Sequence, residues 1–388
     1  MNIRLFDGPD RDLLLPFVYL RPVADLFMGM MTFKDRWSLL TGAHVSAETV
    51  PYLQSEDEKN ADFSVLASCL PDSVFVDAVL SLKPNEKLMH QGQMLAFHGS
   101  FHSQDLALKN YNPVVLSGSD FKLIKYSWDL FTHNGFAIHQ DYESLTRGAI
   151  TAFASETNTL LGEQNLFIGS DVDMEGVSLN TTSGPIYIDD GATIMEGSML
   201  RGPLYVGKNT VVKMGSKIYG NTSLGPEVKV GGELSNAIFF GYSNKGHDGF
   251  LGNAVIGKWC NIGAATDASN LKNDYGNVKA WSYAKKGFVD TGLQFCGLLM
   301  GDHSQCAIHT TFNTATTIGV GCNIFGSGFP RTFIPSFSRG GAQGFVENKL
   351  EKVLKTVHLM MSRRNMNLDA AYQNQIQEVF HQTTSLRK

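Results

Sequence analysis

The chain has 388 residues, enough for two or three domains and a sizeable core. Its hydrophobic share of 43% and charged share of 18% fit a soluble globular protein. A formal net charge of −5 gives no reason to expect nucleic acid or an anionic membrane surface as a partner. The five cysteines (Cys69, Cys260, Cys296, Cys306, Cys322) are odd in number and hold no CxxC pair. That argues against a disulfide framework or structural zinc and for a reducing cytoplasm. The opening MNIRLFDGPDRD lacks the apolar core of a signal peptide, and no apolar run is long enough to cross a bilayer.

Residues 1–150 read as an α/β layer. Asn2–Phe6 suits a strand, followed by a Gly-Pro-Asp turn. The stretch from Arg21 to Leu40 opens on an Arg-Pro pair and then shows helix-like apolar spacing. Val74–Leu82, Leu88–His98 and Val114–Leu116 fit strands or helices of the same layer. Ser127–Phe131 reads as a helix start capped by serine. Gln140–Thr151 reads as a polar connector, and Asp25, Asp129 and Asp141 as solvated or capping residues.

Residues 151–335 have another texture. Aliphatic residues fall at every sixth position: Ile188, Ile194, Leu200, Val206, Val212, Ile218, Leu224 and Val230. Four residues after most of them stands a small or β-branched side chain: Ala192, Ser198, Thr210, Ser216, Thr222 or Val228. A period of six fits neither a helix at about 3.6 nor a plain strand at about 2. It predicts a β-solenoid, with each hexad one short strand plus a turn and the aliphatics stacked inside. The period returns at Ile256 and Ile262, and again at Met300, Cys306, Phe312, Ile318 and Ile324. Stretches 236–249 and 268–298 are expected to leave the wall as loops, where repeat proteins commonly carry function. Residues 336–388 are expected to form a helical tail. Its apolar stripe is Val346, Leu350, Val353, Leu354, Val357, Leu359 and Met360, broken at Asn367 and Asp369.

The first interruption, Gly241 to Gly249, holds three glycines and His247. Imidazole titrates near neutrality, so His247 is a candidate general base for an attacking amine or hydroxyl; a plain surface histidine is the alternative. His303 and His309 flank Cys306, but Cys306 occupies an interior slot and the spacing matches no familiar zinc pattern.

Gly246-His247, Phe250-Leu-Gly-Asn-Ala254, Ile256-Gly257, Asn261-Ile-Gly-Ala264, Thr266 and Asn270 together resemble a known family. It is the acetyltransferase half of the bifunctional enzymes that make UDP-N-acetylglucosamine. Asn270 to Asp274 and Val289 to Leu293 are similar to sugar-1-phosphate nucleotidyltransferase/acetyltransferase relatives. The resemblance covers about 186–330 well, and the whole chain more loosely as a branch with a reduced N-terminal domain.

That resemblance implies a left-handed parallel β-helix, a homotrimer with sites between subunits, and acetyl-CoA as acyl donor. It implies catalytic roles for His247, as base, and for Asn270. Asn261 would contact the sugar; Lys245, Lys272 or Lys279 would have to replace the family's cations for a sugar phosphate. Ala264 and Gly326 would offer backbone contacts to the donor. Phe250 and Leu271 stand where the family has tyrosines, Tyr219 where it has an arginine, and Ser235-Asn-Ala237 where it has a lysine pair.

At the N-terminus, the family's glycine-rich phosphate loop would fall at Phe6 to Pro16. There only Gly8 suits a tight turn, and Pro9 has no N–H to give.

The expected protein is therefore a reduced nucleotidyltransferase-like α/β domain (1–150), a β-helix acyltransferase domain (151–335) and a helical tail (336–388). Its expected activity is acyl-CoA-dependent N-acetylation of an amino sugar phosphate or nucleotide amino sugar. The alternatives are sugar-1-phosphate nucleotidyl transfer, which alone would need Mg2+, and a non-catalytic trimeric solenoid.

Overall fold

The computed structural model describes residues 1–55, 60–100 and 109–387. The chain divides into two compact units. One comprises residues 1–14, 21–27 and 31–126; the other comprises 15–20, 28–30 and 127–388.

The first unit is built on a mixed six-stranded sheet. Its order is His44–Glu48, Asn2–Phe6, Phe63–Leu66, Gln93–His98, Glu86–His90 and Asn112–Val115. Asn2–Phe6 lies between two parallel neighbours, and so reads as a near-continuous buried run. The long helix expected from Arg21 to Leu40 is shorter. It runs Phe33–Thr41, because Thr32 and Asp35 form a capping box and Gly42, in the left-handed region, ends it. Ahead of it lies only a short 3-10 turn at Val23–Asp25, after Pro22. A second helix, Ser73–Leu80, starts where the Asp72 side chain accepts from the Phe75 N–H at 2.7 Å.

The second unit is a parallel β-solenoid with three faces. On the first face, 166–168, 186–188, 204–206, 222–224, 237–239, 254–256, 299–300, 317–318 and 333–334 stack in parallel. The second stacks 173–174, 193–194, 211–212, 229–230, 244–245, 261–262, 305–306, 323–324 and 338–341. The third stacks 159–161, 178–180, 199–201, 217–218, 233–235, 250–252, 267–268 and 311–312. Every aliphatic of the long hexad run is inside, Val206 and Val212 at 0% exposure.

Two interruptions were expected, and they fare differently. Residues 268–298 do leave the wall, carrying the hairpin Lys279–Ser282 with Gly287–Asp290. Residues 236–249 do not: Glu233–Phe239 and Asn244–Lys245 pair with coils on both sides. Here the corners are shorter, with Gly232 and Asn236 at positive φ, so the period slips while the wall continues.

Gln140–Thr151 is likewise not a connector as far as Thr146, since helix Asn134–Thr146 covers it. This helix turns polar side chains inward. Asn134 bonds Asn221 O and Ser223 Oγ, and Asp141 accepts from the Met30 N–H at 2.8 Å. Asp141 is therefore buried, neither solvated nor a cap. Ser127 caps no helix; its hydroxyl donates to Leu15 O.

Two C-terminal helices, Leu350–Ser362 and Ala370–Gln382, close the unit. The first buries Val353, Val357 and Met361 at i, i+4 and i+8. Leu359 is exposed, and Val346 lies earlier, in strand Gly344–Glu347. Arg364, just past this helix, pairs with Glu227 at 2.6 Å. Asn348, just before it, donates to Gly321 O. The helix thus runs along the solenoid. Among the described residues no helix is long and apolar enough to cross a membrane.

Candidate active site on the second face of the solenoid

A two-residue strand has one inward and one outward side chain. On the second face the inward column is Ile194, Val212, Val230, Lys245, Ile262, Cys306 and Ile324. The outward residues stand one position earlier. Lys229, Asn244, Asn261, Gln305, Asn323 and Arg339 are each in register with the next. Four carboxamides flanked by cations thus form a straight polar ladder at about 4.8 Å spacing.

Where the ladder faces the first C-terminal helix, a cavity of about 830 Å³ opens. Asn244, Asn261 and Ala264 line it from the solenoid, and His247 enters from the following turn. Lys213 and Lys229 line it as well, with Arg363 and Arg364 from the far side. Lys213, Lys229 and Arg363 form no ion pair among the described residues, so positive charge is in excess here. Burial lowers the Lys229 pKa, and repulsion from Arg364 and Lys213 lowers it further. A site of this kind attracts phosphate.

At the corner before the ladder, Tyr242 and Trp259 have φ of 56° and 62°, a region bulky side chains rarely adopt. Their rings stack at 4.4 Å and form one wall of the cavity.

Of the residues singled out in the sequence, His247, Asn261 and Ala264 meet in this cavity. Asn270 does not line it; its amide donates to Asn253 Oδ1 at 2.8 Å. Lys272 pairs with Asp274 in the 268–298 excursion. Gly326 lies on the turn after Asn323–Ile324, beside Gln343. Lys245, expected at the substrate, is only 1% exposed, because it takes the inward slot of its strand and Asn244 the outward one. His303 bonds Tyr372 OH at 2.7 Å, and Cys306 points into the core.

The sequence reading missed Asn244, Lys213, Lys229, Arg363 and Arg364. For the first and third, a signal was present, since the residue just before each inward slot faces outward. For the arginines there was none, because only the tertiary path of the tail brings them here.

In the first unit the counterpart region is small. The Asp7 side chain is 8% exposed and accepts from Thr49 Oγ1 (2.6 Å), the Val23 N–H (2.9 Å) and Arg11 Nε (2.9 Å). Burial raises its pKa, opposed by these bonds. A Cβ on Gly8 would collide with the Leu66 side chain, which accounts for the glycine without any ligand. The space beside this turn is about 10 Å³, at the lower limit of what one water needs.

Comparison with known proteins adds the following. Residues 3–150 match a family described as sugar nucleotidyl transferase. No curated protein matches the chain. The solved structures that align with it include two UDP-N-acetylglucosamine acyltransferases. One aligns at 12% identity over 56% of this chain and 78% of that one, with a TM-score of 0.21. The other, from Arabidopsis, aligns at 13% identity over 60% and 93%, with a TM-score of 0.22. Residues 3–150 are thus similar to the sugar nucleotidyl transferase family, and beyond them the chain is a parallel β-solenoid closed by two helices.

Proposed function

We propose that the second unit transfers an acyl group from acetyl-CoA to the amine of an amino sugar phosphate or nucleotide amino sugar. The observation that carries this reading is one cavity shared by His247, Asn261 and the cations Lys213, Lys229, Arg363 and Arg364. His247 takes the proton from the substrate ammonium or amine, so that the nitrogen lone pair attacks the thioester carbonyl. Collapse of the tetrahedral intermediate expels the CoA thiolate, which is then protonated. Asn261 orients the sugar through its amide. The Ala264 backbone and the cations hold the donor, whose phosphates need charge-assisted partners. The assembly expected is a homotrimer with sites between subunits; a monomer in sedimentation equilibrium would rule this out.

The cation set gives the test. Each charge-assisted hydrogen bond contributes about 1.5–3 kcal/mol. The double variant Lys229→Ala/Arg363→Ala, which removes two, is therefore expected to weaken acetyl-CoA binding by about 10²–10⁴-fold in calorimetry. An unchanged Kd would remove the donor from this cavity.

A second reading, sugar-1-phosphate nucleotidyl transfer by the first unit, is favoured by the family match over residues 3–150. The Gly8-Pro9 turn and its small cavity argue against it, since a triphosphate needs several backbone N–H groups brought close. With UTP or dTTP and Mg2+, calorimetry of the full chain is expected to show no binding tighter than millimolar. Micromolar affinity, or pyrophosphate release from a sugar 1-phosphate, would make nucleotidyl transfer the leading reading.

A further inference from the structure

An ammonium inside a solenoid is out of place. Lys245 stands in the inward column between Val230 of the coil before and Ile262 of the coil after, and is 1% exposed. Its Nζ donates to Gly231 O at 3.2 Å and to His247 O at 2.9 Å. The neighbouring coils show what it replaces.

At the corner after each inward residue of this face, a hydroxyl four positions on normally holds the backbone. Ser198 and Ser216 both donate to Lys213 O, and Thr266 and Thr310 both donate to Ala307 O. In the two coils around Lys245 the same positions are Leu234 and Gly249, which have no hydroxyl. The lysine threads its stem through the core and supplies the missing donor. It differs from a hydroxyl in one respect: it holds the carbonyl of His247 itself, whose ring faces the cavity.

We propose that Lys245 is a positioning residue that fixes, from inside the solenoid, the peptide that carries the His247 imidazole toward the substrate amine. This deepens the acyl-transfer reading and rests on it. Backbone bonds hold the turn at Asp248 O and Gly249 O, so removing the ammonium releases the His247 carbonyl itself, next to Gly246, whose surroundings are open.

The groups facing Lys245 are Asp248 in its own turn, Asp267 in the next coil and Cys306 beyond it. Burial pushes its pKa down to about 8, against the pull of those three. The hold on His247 is therefore strongest below that pH and weakens as pH rises through it.

The experiment compares Lys245→Met with the parent chain, methionine being of similar length and at home in an aliphatic column. Two readouts are taken. His247 ring resonances are followed by NMR without substrate, and kcat is measured with acetyl-CoA and glucosamine 1-phosphate from pH about 6 to about 10.

The expected result is a shifted, broadened His247 signal beside an unchanged His309 signal. Turnover should fall about 10–100-fold at an unchanged Kd for acetyl-CoA, and the alkaline limb near pH 8 should disappear. Lys245→Gln, which keeps an N–H donor without the titration, should restore the His247 signal and most of the turnover while still lacking that limb; it also serves if the methionine variant folds poorly. Unchanged His247 resonances in Lys245→Met, or an alkaline limb identical to the parent's, would overturn the proposal. If the parent chain shows no acyl transfer at all, the function proposed above fails, and with it the catalytic purpose; the resonances then decide the Lys245–His247 link alone.

Discussion

Replacing His247 by alanine is expected to lower acyl transfer by about 10²–10⁴-fold, the range general-base catalysis supplies. The ring is exposed at the cavity wall, and no hydrogen bond engages it among the described residues. Its removal therefore leaves no buried partner stranded, and the fold has no reason to respond. The effect should fall on kcat, because proton removal matters only as the amine attacks, whereas on the proposed reading the donor is held by Lys213, Lys229 and the two arginines. A steady-state assay with acetyl-CoA and glucosamine 1-phosphate, paired with calorimetry of acetyl-CoA, separates the two. Turnover equal to the parent's would eliminate His247 as the base. Loss of CoA binding together with turnover would make the 246–249 turn a structural part of the donor site.

The solenoid was legible because its rule is local. One apolar residue per six is enough to specify an inward slot, and from Ile188 to Val230 and from Met300 to Ile324 nothing disturbs the count. Legibility failed where the geometry was kept by other means. After Val230 the buried slots are Leu234, Phe239, Lys245, Leu251, Ile256 and Ile262, at steps of four, five, six, six, five and six. Shorter corners absorb the missing residues, and one slot holds a lysine. Hydrophobic periodicity cannot register either device, so wall was read as loop.

The same cause hid helix Asn134–Thr146, whose inward face is partly carboxamide and carboxylate rather than aliphatic. At the site, His247 came from its loop and the family resemblance together, and Asn261 and Ala264 from the resemblance alone. Arg363 and Arg364 follow in sequence more than a hundred residues later, and nothing short of the packed tail reveals them.

That polar helix face carries the largest stability effect expected in the second unit. Asn134 is 0% exposed, and every hydrogen-bonding group of its amide is used. Its Oδ1 accepts from the Gly29 N–H at 2.8 Å and from Ser223 Oγ at 3.1 Å. Its Nδ2 donates to Asn221 O at 2.8 Å and to Ser223 Oγ at 2.9 Å.

Asn134→Ala strands the Gly29 N–H and the Ser223 hydroxyl in the interior, and each such orphan costs about 1–3 kcal/mol. With the cavity added, the sum is about 3–5 kcal/mol. Asn134→Asp should be no better. Its carboxylate keeps the bond from Gly29 but sets a charge against the Asn221 carbonyl, in a place where an unpaired ion is costly. Glu143, exposed on the same helix, is the control, and its alanine variant should stay within about 0.5 kcal/mol. Thermal unfolding of the full chain reads the difference. At about 2–4 °C per kcal/mol for a unit of this size, both Asn134 variants should melt roughly 6–20 °C below the parent. Melting within a degree or two of the Glu143→Ala control would mean that water or a local shift satisfies Gly29 and Ser223, and that the amide is not what holds this helix to the solenoid.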